Sequence, residues 1–281
     1  MDPRRILAKA ETWKRRAHRL SLDLRLRSVT DAKKFLREHG VALWNDRGEL
    51  PNILDALIGR IANGRERVRG KAAENCFAWR GQLLQDPEFL ECPFFNRQPT
   101  VVYQELWPYV TVVARLNRGR AETEPLVSRD ARKVLNFVAR EGPVPSTEIR
   151  RALKFTSIAE GHIFHRAKKE LQNMLIVLVQ TPERKKKTRM EILDLWENRM
   201  PKAVRSRADQ YSEKDAKSAL LGATLNSCII SKERKISRWF RWNNESLRAT
   251  LESLLQKKDF IRIRQRKNSW IVPRKVLSLK S

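Results

Sequence analysis

Residues 157–193 read SIAEGHIFHRAKKELQNMLIVLVQTPERKKKTRMEIL, and three signals follow one another in them. Ser157 with Glu160 three positions on is a capping-box pattern that opens a helix. Ile163, Ala167, Leu171 and Met174 then recur at steps of four and three, which gathers them on one apolar helix face. An apolar run at residues 175–179 predicts a strand, residues 181–187 a basic turn, and Met190, Ile192 and Leu193 the returning strand.

The upstream sequence supplies two more helices. Ser128 is placed to cap one with Ala131, Val134, Leu135 and Val138 on a single face, ended by Gly142 and Pro143. Ser146 opens a short second helix carrying Ile149 and Leu153. Three helices followed by a hairpin with a basic tip is the order of a winged helix.

The same order recurs near the C-terminus. Ser212 with Asp215 precedes Ala216, Ala219, Leu220 and Ala223; Ser231 starts a second helix holding Ile236, Trp239 and Phe240; Asn243 or Asn244 caps a third with Leu247, Leu251, Leu254 and Leu255. A hairpin through residues 260–264 and 270–272, turning at residues 265–268, completes it. Towards the N-terminus the pattern is less regular. Ile6, Ala10, Trp13, Ala17, Leu20 and Leu24 form the seam of an amphipathic helix whose other face holds Arg15, Arg16 and Arg19. Thr30 is the expected cap of a helix ending at Gly40, Pro51 opens one through Ile53 to Ile61, and residues 87–100, dense in proline and aromatics, read as a connector.

The expected organisation is therefore mainly α with small β wings, in tandem winged-helix (helix-turn-helix) units. An amphipathic basic helix occupies residues 1–27, a degenerate winged-helix-like region with a connector residues 28–124, and winged-helix units residues 125–200 and 208–275.

Lys and Arg number 59 against 32 Asp and Glu in 281 residues, a formal charge of +27. So large a surplus repels itself unless a polyanion neutralises it. The sequence contains no apolar run approaching the ~18 residues of a membrane span, and Arg4, Arg5 and Lys9 break up any secretory apolar region. Nucleic acid is thus the expected partner, and an intracellular, cytoplasmic setting the expected compartment, at the nucleoid if the source is bacterial. Cys76, Cys92 and Cys228 are odd in number and lack C-x-x-C spacing, as reduced core thiols would be.

The candidate contacts lie on the third helices and the hairpins. His165, Arg166, Lys169, Gln172 and Asn173 fall opposite the apolar stripe of residues 163–174, where such a helix can meet the major groove of double-stranded DNA. Arg184, Lys185, Lys186, Lys187 and Arg189 crowd the adjacent hairpin and are suited to phosphates, which fix register without encoding sequence. In the last unit Ser246, Thr250, Ser253 and Lys257 give a less basic helix face, while Arg262 and Arg264 share one side of a strand and Arg266 and Lys267 occupy its turn. His162 and His165 are one helical turn apart but have no acidic or cysteine partner placed to complete a zinc site. Nucleotide-binding glycine motifs and a G-x-S-x-G elbow are missing, so no cofactor is expected. The aromatic residues Phe94, Phe95, Tyr103, Trp107 and Tyr109 suit a core better than a base-stacking surface.

Several of these blocks carry a resemblance. Leu50-Pro51-Asn52-Ile53-Leu54-Asp55-Ala56, Leu106-Trp107-Pro108, Asp130-Ala131-Arg132, the run from Gly142-Pro143-Val144-Pro145 to Ile149-Arg150, and Lys169-Glu170-Leu171-Gln172 resemble the AlkZ-related winged-helix family, relatives of the AlkZ- and YcaQ-type DNA glycosylases. The resemblance spans about residues 29–273 and implies a tandem winged-helix fold acting near damaged DNA, in repair or regulation. It also implies an alternative activity, excision of alkylated or crosslinked bases by N-glycosidic cleavage. The enzymes of that family resemble one another in a Gln-any-Gln catalytic motif. Here Gln82 and Gln85 come nearest, with two residues between them, and on a strand that spacing would send them to opposite faces. No catalytic residue follows.

Overall fold

The computed structural model describes residues 2–180 and 191–278. Met1–Leu106 with Lys217–Ser281 make one compact unit and Trp107–Ala216 a second.

In the first unit, helix α1 (Pro3–Ala17) is capped by Asp2 and buries Ile6, Leu7 and Ala10. Its apolar period continues in sequence to Leu24, but the helix stops at Ala17. Arg19 turns left-handed at φ 60, and the Leu20 N–H closes back on the Arg15 carbonyl at 2.8 Å. Helix α2 (Val29–His39) begins before the expected Thr30, because Ser28 accepts the Asp31 N–H at 3.1 Å. After strand β1 (Val41–Leu43), Asn52 caps helix α3 (Ile53–Ile58). That helix ends at Gly59, short of the exposed Ile61. Gly59 has φ +80, and a Cβ there would lie 2.8 Å from the Ser21 carbonyl oxygen, so only glycine fits this close crossing.

Helix α4 (Lys71–Gln85) runs unbroken through Gly81. Burial of Ala73, Cys76 and Leu83 outweighs the ~1 kcal/mol that a mid-helix glycine costs. Residues 87–100 are not a connector: strands β2 (Phe89–Phe95) and β3 (Gln98–Tyr103) pair as a hairpin. Two features hide it in the sequence. Pro93 is accommodated where the register shifts between Cys92 and Phe95. The turn uses Asn96 and Arg97, both at positive φ (48 and 60), in place of the usual Asn-Gly.

The second unit begins with helix α5 (Trp107–Thr123), followed by α6 (Arg129–Glu141), β4 (Val144–Pro145), α7 (Ser146–Ala152) and α8 (Ile158–Asn173). Strands β5 (Val177–Gln180) and β6 (Ile192–Leu195) and helices α9 (Trp196–Arg199) and α10 (Lys202–Ala208) complete it. Ser128 caps α6, and Ser157 with Glu160 forms the full capping box of α8. The core gathers Val134, Leu135, Ile149, Phe164, Leu171 and Leu193. Trp196 lies under α5 and donates its indole N–H to Thr111 at 2.9 Å.

The chain returns through α11 (Glu213–Cys228), β7 (Ser231–Lys232), α12 (Glu233–Ile236), α13 (Asn244–Gln256), β8 (Phe260–Gln265) and β9 (Asn268–Pro273), and closes with a 3-10 turn at Arg274–Ser278. The helix expected from Ser231 through Phe240 is not formed: Ser231 pairs with Ile271 in β7, and α12 is a single turn, so Trp239 and Phe240 lie beyond it, still buried.

The protein is thus mainly helical with small β wings. Its three sheets are all antiparallel, with strand orders β1-β3-β2, β4-β6-β5 and β7-β9-β8. In each the chain passes helix, strand, helix, helix, strand, strand, once at α2–β3, once at α6–β6 and once at α11–β9. Within the first unit the outer two of these repeats are clasped. The β2–β3 tip packs Phe94 on Phe240 and Phe95 on Trp239, with ring centroids 5.2 and 5.3 Å apart. Helix α1 lays Ile6, Leu7 and Ala10 against Ile263, Val272 and Val276.

Candidate nucleic-acid interface

Helix α8 turns Phe164, Ala167 and Leu171 into its core, and Ile163 is only half-buried. The opposite side presents His165, Arg166 and Lys169 exposed, with Gln172 and Asn173 half-buried at the same edge. Arg166 and Lys169 form no ion pair with any described residue. The neighbouring Lys168 behaves differently. It is buried and bonded to Glu191 just before β6, which fixes the rotation of α8 and so the direction of the outward face. At the helix start the Ser157 backbone N–H holds the Glu160 carboxyl below its ordinary pKa, so the cap stays anionic where helix dipoles favour negative charge. Ile158, in the first turn, is 85% exposed. It was not singled out in the sequence, because an apolar residue beside an apolar stripe gives no sign of facing outward.

Beside α8, β5 and β6 pair antiparallel up to Gln180 opposite Ile192. The basic tip carrying Arg184, Lys185, Lys186, Lys187 and Arg189 lies outside the described residues.

In the β8–β9 hairpin the four named cations separate. Arg264, Arg266 and Lys267 are exposed, at the strand end and in the turn. Arg262 points instead to carboxylates: its Nη2 donates to Glu233 at 2.8 Å and also to Glu252. Glu252 first and Glu233 with it raise the Arg262 pKa. Burial works against ionisation of Glu233, but the hydrogen bonds and positive charge of Arg262 prevail and lower its pKa. The two arginines spaced as one strand face thus have different roles, because Glu233 and Glu252 come from α12 and α13 and cannot be seen from the strand pattern.

The α13 face also needs correction. Thr250 is buried, and Ser246 accepts from Lys217 Nζ at 2.7 Å, so those hydroxyls are internal. Exposed arginines at this end include Arg234, Arg238 and Arg248. Arg234 and Arg248, with Ser237 and Asn244, border a cavity of about 310 Å3 between α12 and α13. Their signal was present in the sequence as cations falling beside the apolar positions Ile236, Trp239, Leu247 and Leu251.

The remaining candidates resolve simply. Phe94 and Phe95 are buried. Cys76, Cys92 and Cys228 are free and buried, and burial raises the Cys76 and Cys228 thiols to about 12. Gln82 and Gln85 sit on α4, not on a strand, so a separation of three places them on neighbouring positions of one helix face. Among the described residues no cluster of three or more His, Cys, Asp or Glu is placed to hold a metal, and no helix is long and apolar enough to cross a membrane.

Repeated helix–strand–helix–helix–strand–strand elements with exposed cationic third helices and hairpins define a class of strongly basic, mainly helical protein. A model of the AlkZ-related family matches residues 26–241, and the chain belongs to that family. Among solved structures it is similar to the DNA glycosylase AlkZ of Streptomyces sahachiroi, with a TM-score of 0.53 and 12% identity over 95% of this chain and 71% of that one. No curated protein matches the sequence.

Proposed function

We propose that this protein is a tandem winged-helix DNA-binding protein that acts in DNA repair or its regulation and grips duplex DNA chiefly through phosphates. The observation that carries the reading is the α8 surface, where Arg166 and Lys169 stand exposed without a described counter-ion while buried Lys168 locks the helix orientation. Gln172 and His165 on the same side can address base edges. The cations of the β8–β9 turn and of the α12–α13 segment add backbone contacts. Family membership supports a setting near damaged DNA. Titrating a labelled duplex across a salt series tests the proposal: log K should fall with log salt at about −0.9 per phosphate neutralised. A salt-independent affinity would remove it.

A further inference from the structure

We propose that the first unit holds a second ligand site, for a nucleoside 5′-monophosphate, in the cavity bounded by α1, the C-terminal ends of α2 and α11, and the 3-10 turn at Arg274–Ser278. The inference is independent of the DNA-binding reading, since none of the residues assigned to DNA contact borders this cavity.

The cavity measures about 380 Å3, within the ~300–1,000 Å3 range of small-molecule pockets. Its wall divides into a cationic and an apolar part. Arg16, Arg19 and Lys275 supply three positive charges against one carboxylate, Glu38, which faces Arg19 at 3.4 Å. Lys275 lies 5.1 Å over the Trp13 ring and has no ion-pair partner among the described residues. Lys275 is exposed towards solvent and only its partial burial lowers its pKa, so an anion beside this ammonium would offset that shift. Arg16 likewise forms no ion pair with a described residue.

The apolar part is formed by the Trp13 indole with Leu24 and Ile229. A flat heteroaromatic ring packs favourably against an indole, and takes the Trp13 face that Lys275 covers once that ammonium turns to the phosphate. The exposed Asn226 at the rim carries both a donor and an acceptor for the ring edge. His39 also lines the cavity, with its Nε2 engaged by the Ala17 carbonyl at 3.1 Å. Burial keeps that ring neutral, so it adds no further charge. A phosphate monoester bearing a flat ring matches both parts at once, and a mononucleotide has that size.

Isothermal titration calorimetry of the full chain in about 0.15 M salt, where the Debye length is ~8 Å, tests the site with AMP, adenosine and inorganic phosphate. The expected result is saturable binding of AMP, with adenosine and phosphate each at least about tenfold weaker, and with K275Q and R16Q each losing about tenfold in AMP affinity, the scale of one charge-assisted hydrogen bond. AMP binding no tighter than that of phosphate, or unchanged in both variants, overturns the proposal. The unmutated protein gives a check that does not depend on variant folding. AMP should protect Lys275 from amine acylation read by mass spectrometry, and equal labelling with and without saturating AMP also overturns it. Loss of DNA binding leaves both readouts untouched, so the two proposals fail separately.

Discussion

The backbone N–H of Asn96 donates to the carbonyl of Trp239 across 2.8 Å. A two-residue turn at the tip of the first hairpin is thereby pinned to the segment between α12 and α13, with the Phe94–Phe240 and Phe95–Trp239 pairs packed nearby. Although Asn96 and Arg97 stay exposed, the hairpin becomes a strut to the last repeat. The first and last repeats of the chain accordingly belong to one compact unit.

Truncating this strut should cost global stability. Phe95 is buried against Trp239 at 5.3 Å, and Phe95→Ala is expected to lose about 3–5 kcal/mol, the usual cost of removing a buried aromatic side chain. Urea unfolding followed by circular dichroism measures it. A midpoint within error of the unmutated protein would show that the clasp contributes nothing.

The α8 surface predicts a binding defect without a folding defect. Arg166 and Lys169 are exposed and lie off the buried stripe, so Arg166→Ala with Lys169→Ala should leave the unfolding midpoint nearly unchanged. Affinity for duplex DNA should fall for all sequences alike, and the salt slope should become shallower by about 0.9 for each phosphate contact removed. An unaltered slope would exclude this face from the phosphate track.

Arg262 and Arg264 should separate in the same assays. Arg262 is held by Glu233 and Glu252, so Arg262→Ala leaves two carboxylates without their counter-ion and is expected to destabilise the last repeat by about 1–2 kcal/mol, a range set by partial exposure of the network. Arg264→Ala should weaken DNA binding and leave stability within about 0.5 kcal/mol, as surface substitutions do. The reverse pattern would mean that the strand faces are wrongly assigned.

The legible parts of the sequence were those where local chemistry and packing agree. The capping box at Ser157 and Glu160, the stripe ending at Leu171 and the run at residues 175–179 each encode their own element. The face of α8 follows from that stripe by geometry alone. The β2–β3 hairpin was hidden because Asn96-Arg97 adopts a turn that glycine normally signals, and because its aromatic residues are buried by α12–α13, far away in sequence. The role of Arg262 was hidden for the same reason: periodicity shows that it shares a face with Arg264, but not that two glutamates wait on that face. Long-range partners decide such residues, and a one-dimensional pattern carries no record of them.

The buried His18 and the half-buried His39 predict how stability depends on pH. Their rings meet edge to face, with centroids 5.6 Å apart. Burial lowers the His18 pKa well below 6.5, helped by His39 and Lys14 and opposed by its hydrogen bond to the Ser227 carbonyl. Burial likewise lowers that of His39; the Ala17 carbonyl and Glu38 oppose it, and Arg19 and Lys275 assist. Both rings are therefore neutral in the fold at a pH where the unfolded chain already takes up protons. Below about pH 6.5 the unfolded state binds more protons than the native state, so stability is complete above that value and declines as the solution is acidified, by up to about 1.4 kcal/mol per pH unit for each proton. The decline for each ring ends once pH passes below its folded pKa. Urea midpoints at pH 7.5, 6.5 and 5.5 measure the slope, in a window above most carboxylate titration. His18→Gln with His39→Gln keeps a side-chain donor at each position and should flatten the dependence, whatever its effect on stability at pH 7.5. An equally steep decline in that double variant would assign the protons to other groups.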